Sequence, residues 1–97
     1  MVHLEDRFMR DPDIVQRFVK RELILVPIRA RKGREAEFYV LEEVGNRVWE
    51  LLDGNRKCRE VIEGITSEFR VNRKRAGREF LLFLKSLQEE RLIRRAS

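Results

Sequence analysis

Few side chains in this 97-residue chain are of the kinds that do covalent or metal chemistry. Its one histidine, His3, stands in a charged N-terminal stretch, and its one cysteine, Cys58, falls among apolar residues at helical spacing. Neither has a partner placed to activate it, and a small buried hydrophobe is the ordinary role of such a cysteine. The carboxylates are interleaved with Lys and Arg as on solvated helix faces, so paired acid and base catalysis finds no support. Zinc-ligand spacing, a phosphate loop and a dinucleotide fingerprint are all missing. These residues describe a chain that is not an enzyme and takes neither metal nor cofactor, so its function lies in what it binds.

Two surface clusters bear on that question. Arg70, Arg73, Lys74, Arg75 and Arg78 gather at the turn into a C-terminal helix, where helix-turn-helix proteins place phosphate contacts. The same helix carries Glu79, Leu82, Glu89 and Glu90 outward, which repel phosphates or offer them nothing, so nucleic acid is the weaker reading. The second cluster is Phe80 to Leu84, five apolar residues in a row, where a helix packed on one side needs three or four per two turns. With the stripe centred near Phe80, Leu81 lies at its edge and Leu82 points away. That surplus suits a groove, a self-association contact or plain surface.

Composition narrows the class. The chain is 42% hydrophobic and 40% charged, with two prolines and five glycines, the profile of one folded domain with one core. A formal charge of +5, from 22 Lys and Arg against 17 Asp and Glu, allows an acidic peptide or nucleic acid as partner. One cysteine rules out an internal disulfide. No apolar run nears the roughly 20 residues of a membrane span, and Met1 to Arg10 lacks the apolar stretch of a signal peptide. A cytoplasmic protein is expected.

The elements that position these residues follow from periodicity. Residues 1–13 read as a flexible arm ended by Asp11, Pro12 and Asp13, and residues 14–97 as a single domain. Ile14 to Val19 and Leu23 to Ile28 read as strands, the second ending near Pro27 or lying at an edge. Arg29 to Glu37, with Gly33 among charges, reads as an exposed turn. Phe38 to Leu41 is a short third strand. The period then changes to about 100° per residue. Leu41, Val44, Val48, Leu51 and Leu52 share a face of a first helix, about Glu43 to Leu52, with Trp49 in the core beside it and Gly54 as terminator. Cys58, Val61, Ile62, Ile65 and Phe69 mark a second helix, about Lys57 to Phe69. Phe80, Phe83, Leu84 and Leu87 mark a third, about Lys74 to Glu90. The fold class is α+β: three antiparallel strands followed by a three-helix bundle.

Four stretches, in this order, resemble the PqqD-like family, also called RiPP recognition elements. They are ILVP at Ile24 to Pro27, FYVLEEVGNRVWELLDG at Phe38 to Gly54, EVIEGITSEF at Glu60 to Phe69 and FLLFLKSLQEERLI at Phe80 to Ile93. The likeness covers about Ile14 to Ile93 and is most specific at VLxxxGxxxWELLDG. Glu42 departs from it, since members often carry Asn there to open the first helix, and this weakens the expected cap.

The resemblance implies a winged-helix-like fold without catalytic activity. It implies binding of the leader segment of a ribosomally made precursor peptide, presented to a modifying enzyme such as a radical SAM protein in the PQQ pathway. The leader would dock as an added strand on Phe38, Tyr39, Val40 and Leu41, against a third helix carrying Leu81, Leu82 and Lys85. A bare strand edge offers unsatisfied backbone donors and acceptors to such a peptide. Arg78 and Lys85 would meet its acidic residues. The other readings are a nucleic-acid-binding winged helix and a homodimer paired through the same edge.

Overall fold

The computed structural model describes residues 2–28 and 38–96. Along them run β1 (Arg7–Arg10), β2 (Ile14–Val19), β3 (Glu22–Pro27), β4 (Tyr39–Glu42), α1 (Glu43–Leu51), β5 (Asp53–Lys57), α2 (Cys58–Phe69), α3 (Arg73–Glu89) and β6 (Ile93–Arg95). The strands form two antiparallel sheets, ordered β5-β1-β6 and β2-β3-β4. The architecture is α+β, as the sequence predicts, with three strands more. The predicted turn at Arg29 to Glu37 lies outside the described residues.

In the second sheet the pairing of β3 with β4 follows alternation. Leu23 pairs with Leu41 and Leu25 with Tyr39 on the face toward the helices, while Ile24 pairs with Val40 on the other. A one-residue slip would turn Leu23 and Leu25, both buried, out to solvent. β3 is central and ends at Pro27, which meets the constraint that a proline sets on a ladder.

The helices close the core over this face. Val48, Trp49, Val61, Ile65, Phe80, Leu84 and Leu87 are buried, at the spacing their stripes predict. Two expected stripe members differ: Val44 and Phe69 are each 36% exposed. Val44 belongs to the first turn of α1 and Phe69 is the last residue of α2, where the packed neighbours end. At the start of α3, the Asn72 Oδ1 accepts a hydrogen bond from the Arg75 N–H at 3.1 Å. Glu42 precedes α1 without a side-chain cap.

The expected arm requires correction. β1 is the central strand of the sheet β5-β1-β6, and Phe8 is 1% exposed. The residues before it cap α2: the Cys58 N–H donates to the Asp6 carbonyl at 2.8 Å, and the Arg59 N–H to that of Leu4 at 2.9 Å. These are donors that a helix N-terminus leaves unpaired. Glu5 adds ion pairs to Lys57 and Arg59 at 2.8 and 3.1 Å, which hold its carboxyl down to about 2. Arg10 serves the other helix end, its Nη1 donating to the carbonyls of Trp49 (3.1 Å) and Glu50 (2.8 Å) in the last turn of α1. The ordered fold therefore begins well before Ile14.

Gly54 also has a different role from the helix terminator expected of it. α1 stops at Leu51 with Leu52 as its cap, and Gly54 lies inside β5 at φ +86°. There the Asp53 Oδ1 accepts hydrogen bonds from the Asn55 and Arg56 N–H groups at 2.9 and 3.1 Å. That local turn accounts for the irregular register, in which Arg7 pairs with Lys57 but Met9 with Asp53.

Candidate functional site

β4 is hydrogen-bonded to β3 along one edge, and among the described residues no strand pairs its other edge. Tyr39 and Leu41 point to the helix side, half-buried and buried, whereas Val40 and Glu42 are exposed on the far face. Phe38 stands just ahead of the strand and is 67% exposed. The predicted strand Phe38 to Leu41 is thus displaced by one residue.

α3 meets β4 through two side chains that the sequence assigned to the core stripe or to solvent. The Tyr39 hydroxyl donates to the Glu90 Oε2 at 2.7 Å, just past the last turn of α3. Toward the other end of the strand, Gly45 marks where α1, β4 and α3 converge. A β-carbon built there would lie 3.7 Å from both the Leu41 Cβ and the Phe83 Cζ. Beside that junction lies a cavity of about 560 Å³ lined by Val44, Val48, Ile62, Ile65, Phe80 and Phe83. Arg75 and Glu79, ion-paired at 3.0 Å, stand on its rim.

The predicted α3 residues gather elsewhere. Arg78, Leu81, Leu82 and Lys85 line one concavity with Val2, Gln88 and Glu89. At about 100° per residue, Lys85 stands roughly 200° around the helix from Phe83. The buried Leu84 divides the two flanks. The structure therefore brings Tyr39 and Leu41 together with Phe83 and Glu90, and brings Arg78, Leu81 and Lys85 together with Val2, with the exposed Leu82 near the crest. Periodicity measures angles from the core but does not say which flank meets which strand. The one sequence signal for the true β4 side was Gly45, a small residue at the start of an otherwise bulky helix.

The remaining candidate chemistry is quiet. Burial pushes the Cys58 thiol up to about 11, with the negative charge of Asp6 adding to it, the reverse of what activates a nucleophile. In the basic cluster, Arg73 pairs with Glu63 at 3.2 Å and Arg75 with Glu79, so part of its charge is already answered. Among the described residues no group of acidic, His or Cys side chains is placed to hold a metal, and no helix is long and apolar enough to cross a membrane.

Residues 22–93 match the family model described as coenzyme PQQ synthesis protein D (PqqD). The chain belongs to the PqqD family. The PqqD match runs from the first residue of β3 to the first of β6, so it contains β4, α1, α2 and α3, and leaves β1 and β2 outside. Among solved structures, TbiB1 in complex with the TbiA(beta) leader peptide is similar to this PqqD-family chain at a TM-score of 0.72. The two are 25% identical over 88% of this chain and 93% of that one. A search of curated proteins finds no match.

Proposed function

We propose that this chain is a RiPP recognition element: a non-catalytic domain that takes the leader of a ribosomally synthesised precursor peptide as an added strand on β4 and presents it to a modifying enzyme. The observation that carries the reading is β4, Tyr39–Glu42, which is an edge strand among the described residues and is tied by Tyr39 to the end of α3, in a PqqD-family chain similar to a protein solved with a leader peptide. Backbone groups of Tyr39, Val40 and Leu41, and of Phe38 before them, supply the ladder. Phe83 and the cavity beyond Gly45 receive apolar side chains of the peptide. Main-chain pairing gives affinity and the side-chain wall gives selectivity. Neither role needs a nucleophile, metal or cofactor. The modifying enzyme, of the radical SAM class if the pathway is that of PQQ, is the second partner, and the complex works in the cytoplasm.

The test is calorimetric titration of the purified chain with the leader segment of a precursor encoded beside it. A Kd of about 10 µM or tighter is expected. No heat at roughly 100 µM peptide, from a chain shown by circular dichroism to be folded, overturns the reading. An edge strand can also pair with a second copy, and sedimentation across a dilution series separates that dimer from a monomer that binds peptide.

A further inference from the structure

The concavity on the flank of α3 away from Phe83 has its own chemistry. Its apolar part is Val2 with Leu81 and Leu82, the last 66% exposed. Arg78 and Lys85 stand on its lining, and Lys74 falls on the same flank, about 40° around the helix from Arg78. Among the described residues none of these three cations has a carboxylate within ion-pair distance, although Arg73 and Arg75 nearby do. Among the described residues Glu89 is the one acidic side chain on the lining. The surface is therefore a shallow trough beside Leu81, with the exposed Leu82 at its edge and a net positive rim among the described residues.

We propose that this flank is a second docking surface, which takes an acidic amphipathic helix of a partner protein while the β4 side remains open to a peptide. Apolar residues one helical turn apart on the partner would cover Leu81 and Leu82, and its carboxylates would meet Arg78, Lys85 and Lys74. A second copy of this chain is the poorer occupant because it carries a net charge of +5 itself. Phosphates would meet the cations but gain nothing from the two leucines. Leu84, 0% exposed, and the body of α3 separate the two flanks, so both can be filled together. The inference stands on charge and apolar surface and does not require the β4 reading.

The probe is a fluorescein-labelled synthetic amphipathic helix with glutamates on one face and leucines on the other, followed by fluorescence anisotropy with the full chain. Its counterpart with lysine for each glutamate and a short DNA duplex serve as controls. The acidic helix should bind at least about tenfold tighter than the basic one. The double variant R78E/K85E, changed only at exposed side chains, should lose about tenfold while Phe83→Ala leaves this binding unchanged. Saturating leader peptide should not displace the acidic helix. Equal binding of the two helices overturns the proposal, as does an acidic helix indifferent to R78E/K85E. Preferential duplex binding abolished by R78E/K85E would mark a phosphate site instead, and concentration-dependent self-association reversed by that variant would mark a dimer contact.

Discussion

The Tyr39 hydroxyl and the Glu90 carboxylate, 2.7 Å apart, tie the edge strand β4 to the end of α3 and so fix the width of the space between them. Both groups are half-buried, and a hydrogen bond to a carboxylate is stronger than a neutral one. Tyr39→Phe keeps the ring and removes the tie. Urea unfolding should show a loss of about 1 kcal/mol, and affinity for a β4-bound peptide should fall several-fold as the wall loosens. Unchanged stability would mean that the pair does not set the spacing.

Deleting residues 1–13 should abolish cooperative unfolding, because β1 is the central strand of its sheet and the segment caps two helices. The cut removes Phe8, whose burial is worth about 2 kcal/mol. It also orphans the Cys58 and Arg59 N–H groups at the start of α2 and takes Arg10 from the carbonyls ending α1. Arg10→Ala alone should cost about 1 kcal/mol. A truncated chain that still melts in one sharp transition by calorimetry would show that the segment is dispensable.

That segment is also where sequence reading stopped short. The span of β2 was legible to the residue from its β-branched and aromatic residues, and each helix to within one at either end because its apolar residues recur at the helical period. β1 has a single deeply buried side chain, Phe8, among charges, and β5, with the sequence DGNRK, has no apolar residue at all. Their strand state comes from pairing across the sheet, not from any local period. Which candidate side chains share a face was legible only in part, for a related reason. Phe38 to Leu41 announces a short strand, but the side of α3 that faces it is settled by Phe83 and Glu90, through contacts that exist only once the helix is packed.

Gly45 and Gly54 should respond oppositely to alanine. At Gly45, in the first turn of α1, an added methyl makes ordinary contacts of 3.7 Å, and the gain in helix propensity should stabilise the chain by about 0.5 kcal/mol. At Gly54, φ is +86° and the methyl would approach the Met9 Cβ at 3.4 Å, so Gly54→Ala should cost about 1–2 kcal/mol. Thermal melts of the two variants, one above and one below the parent, check the assignment of Gly54 to the turn within β5.

Cys58 should be silent toward a thiol reagent until the protein unfolds. Its thiol is pushed up to about 11, first by burial and then by Asp6. Because the folded value lies above the unfolded one near 9, the stability linked to the neutral thiol is complete below pH 9 and drains away as pH rises toward 11. Cys58→Ala should flatten the alkaline fall in Tm, while the parent reacts with a disulfide reagent only in denaturant. Rapid labelling of the native protein at pH 7 would contradict the buried placement.

Phe83 and Leu81 sit two positions apart on α3 and should separate the two flanks. Phe83 reaches the junction of Leu41 and Gly45, so on the proposed function a peptide paired to β4 would lie against it, and Phe83→Ala should weaken that peptide by about tenfold through lost apolar contact. Leu81 faces the concavity shared with Val2 and Lys85, so Leu81→Ala should leave the same titration within about twofold. Because Phe83 is half-buried, Phe83→Leu provides the control for folding: it retains most of the core contact, and its affinity should fall between those of the parent and Phe83→Ala. Peptide binding that is weakened by Leu81→Ala and indifferent to Phe83→Ala would move the peptide to the opposite flank of the helix.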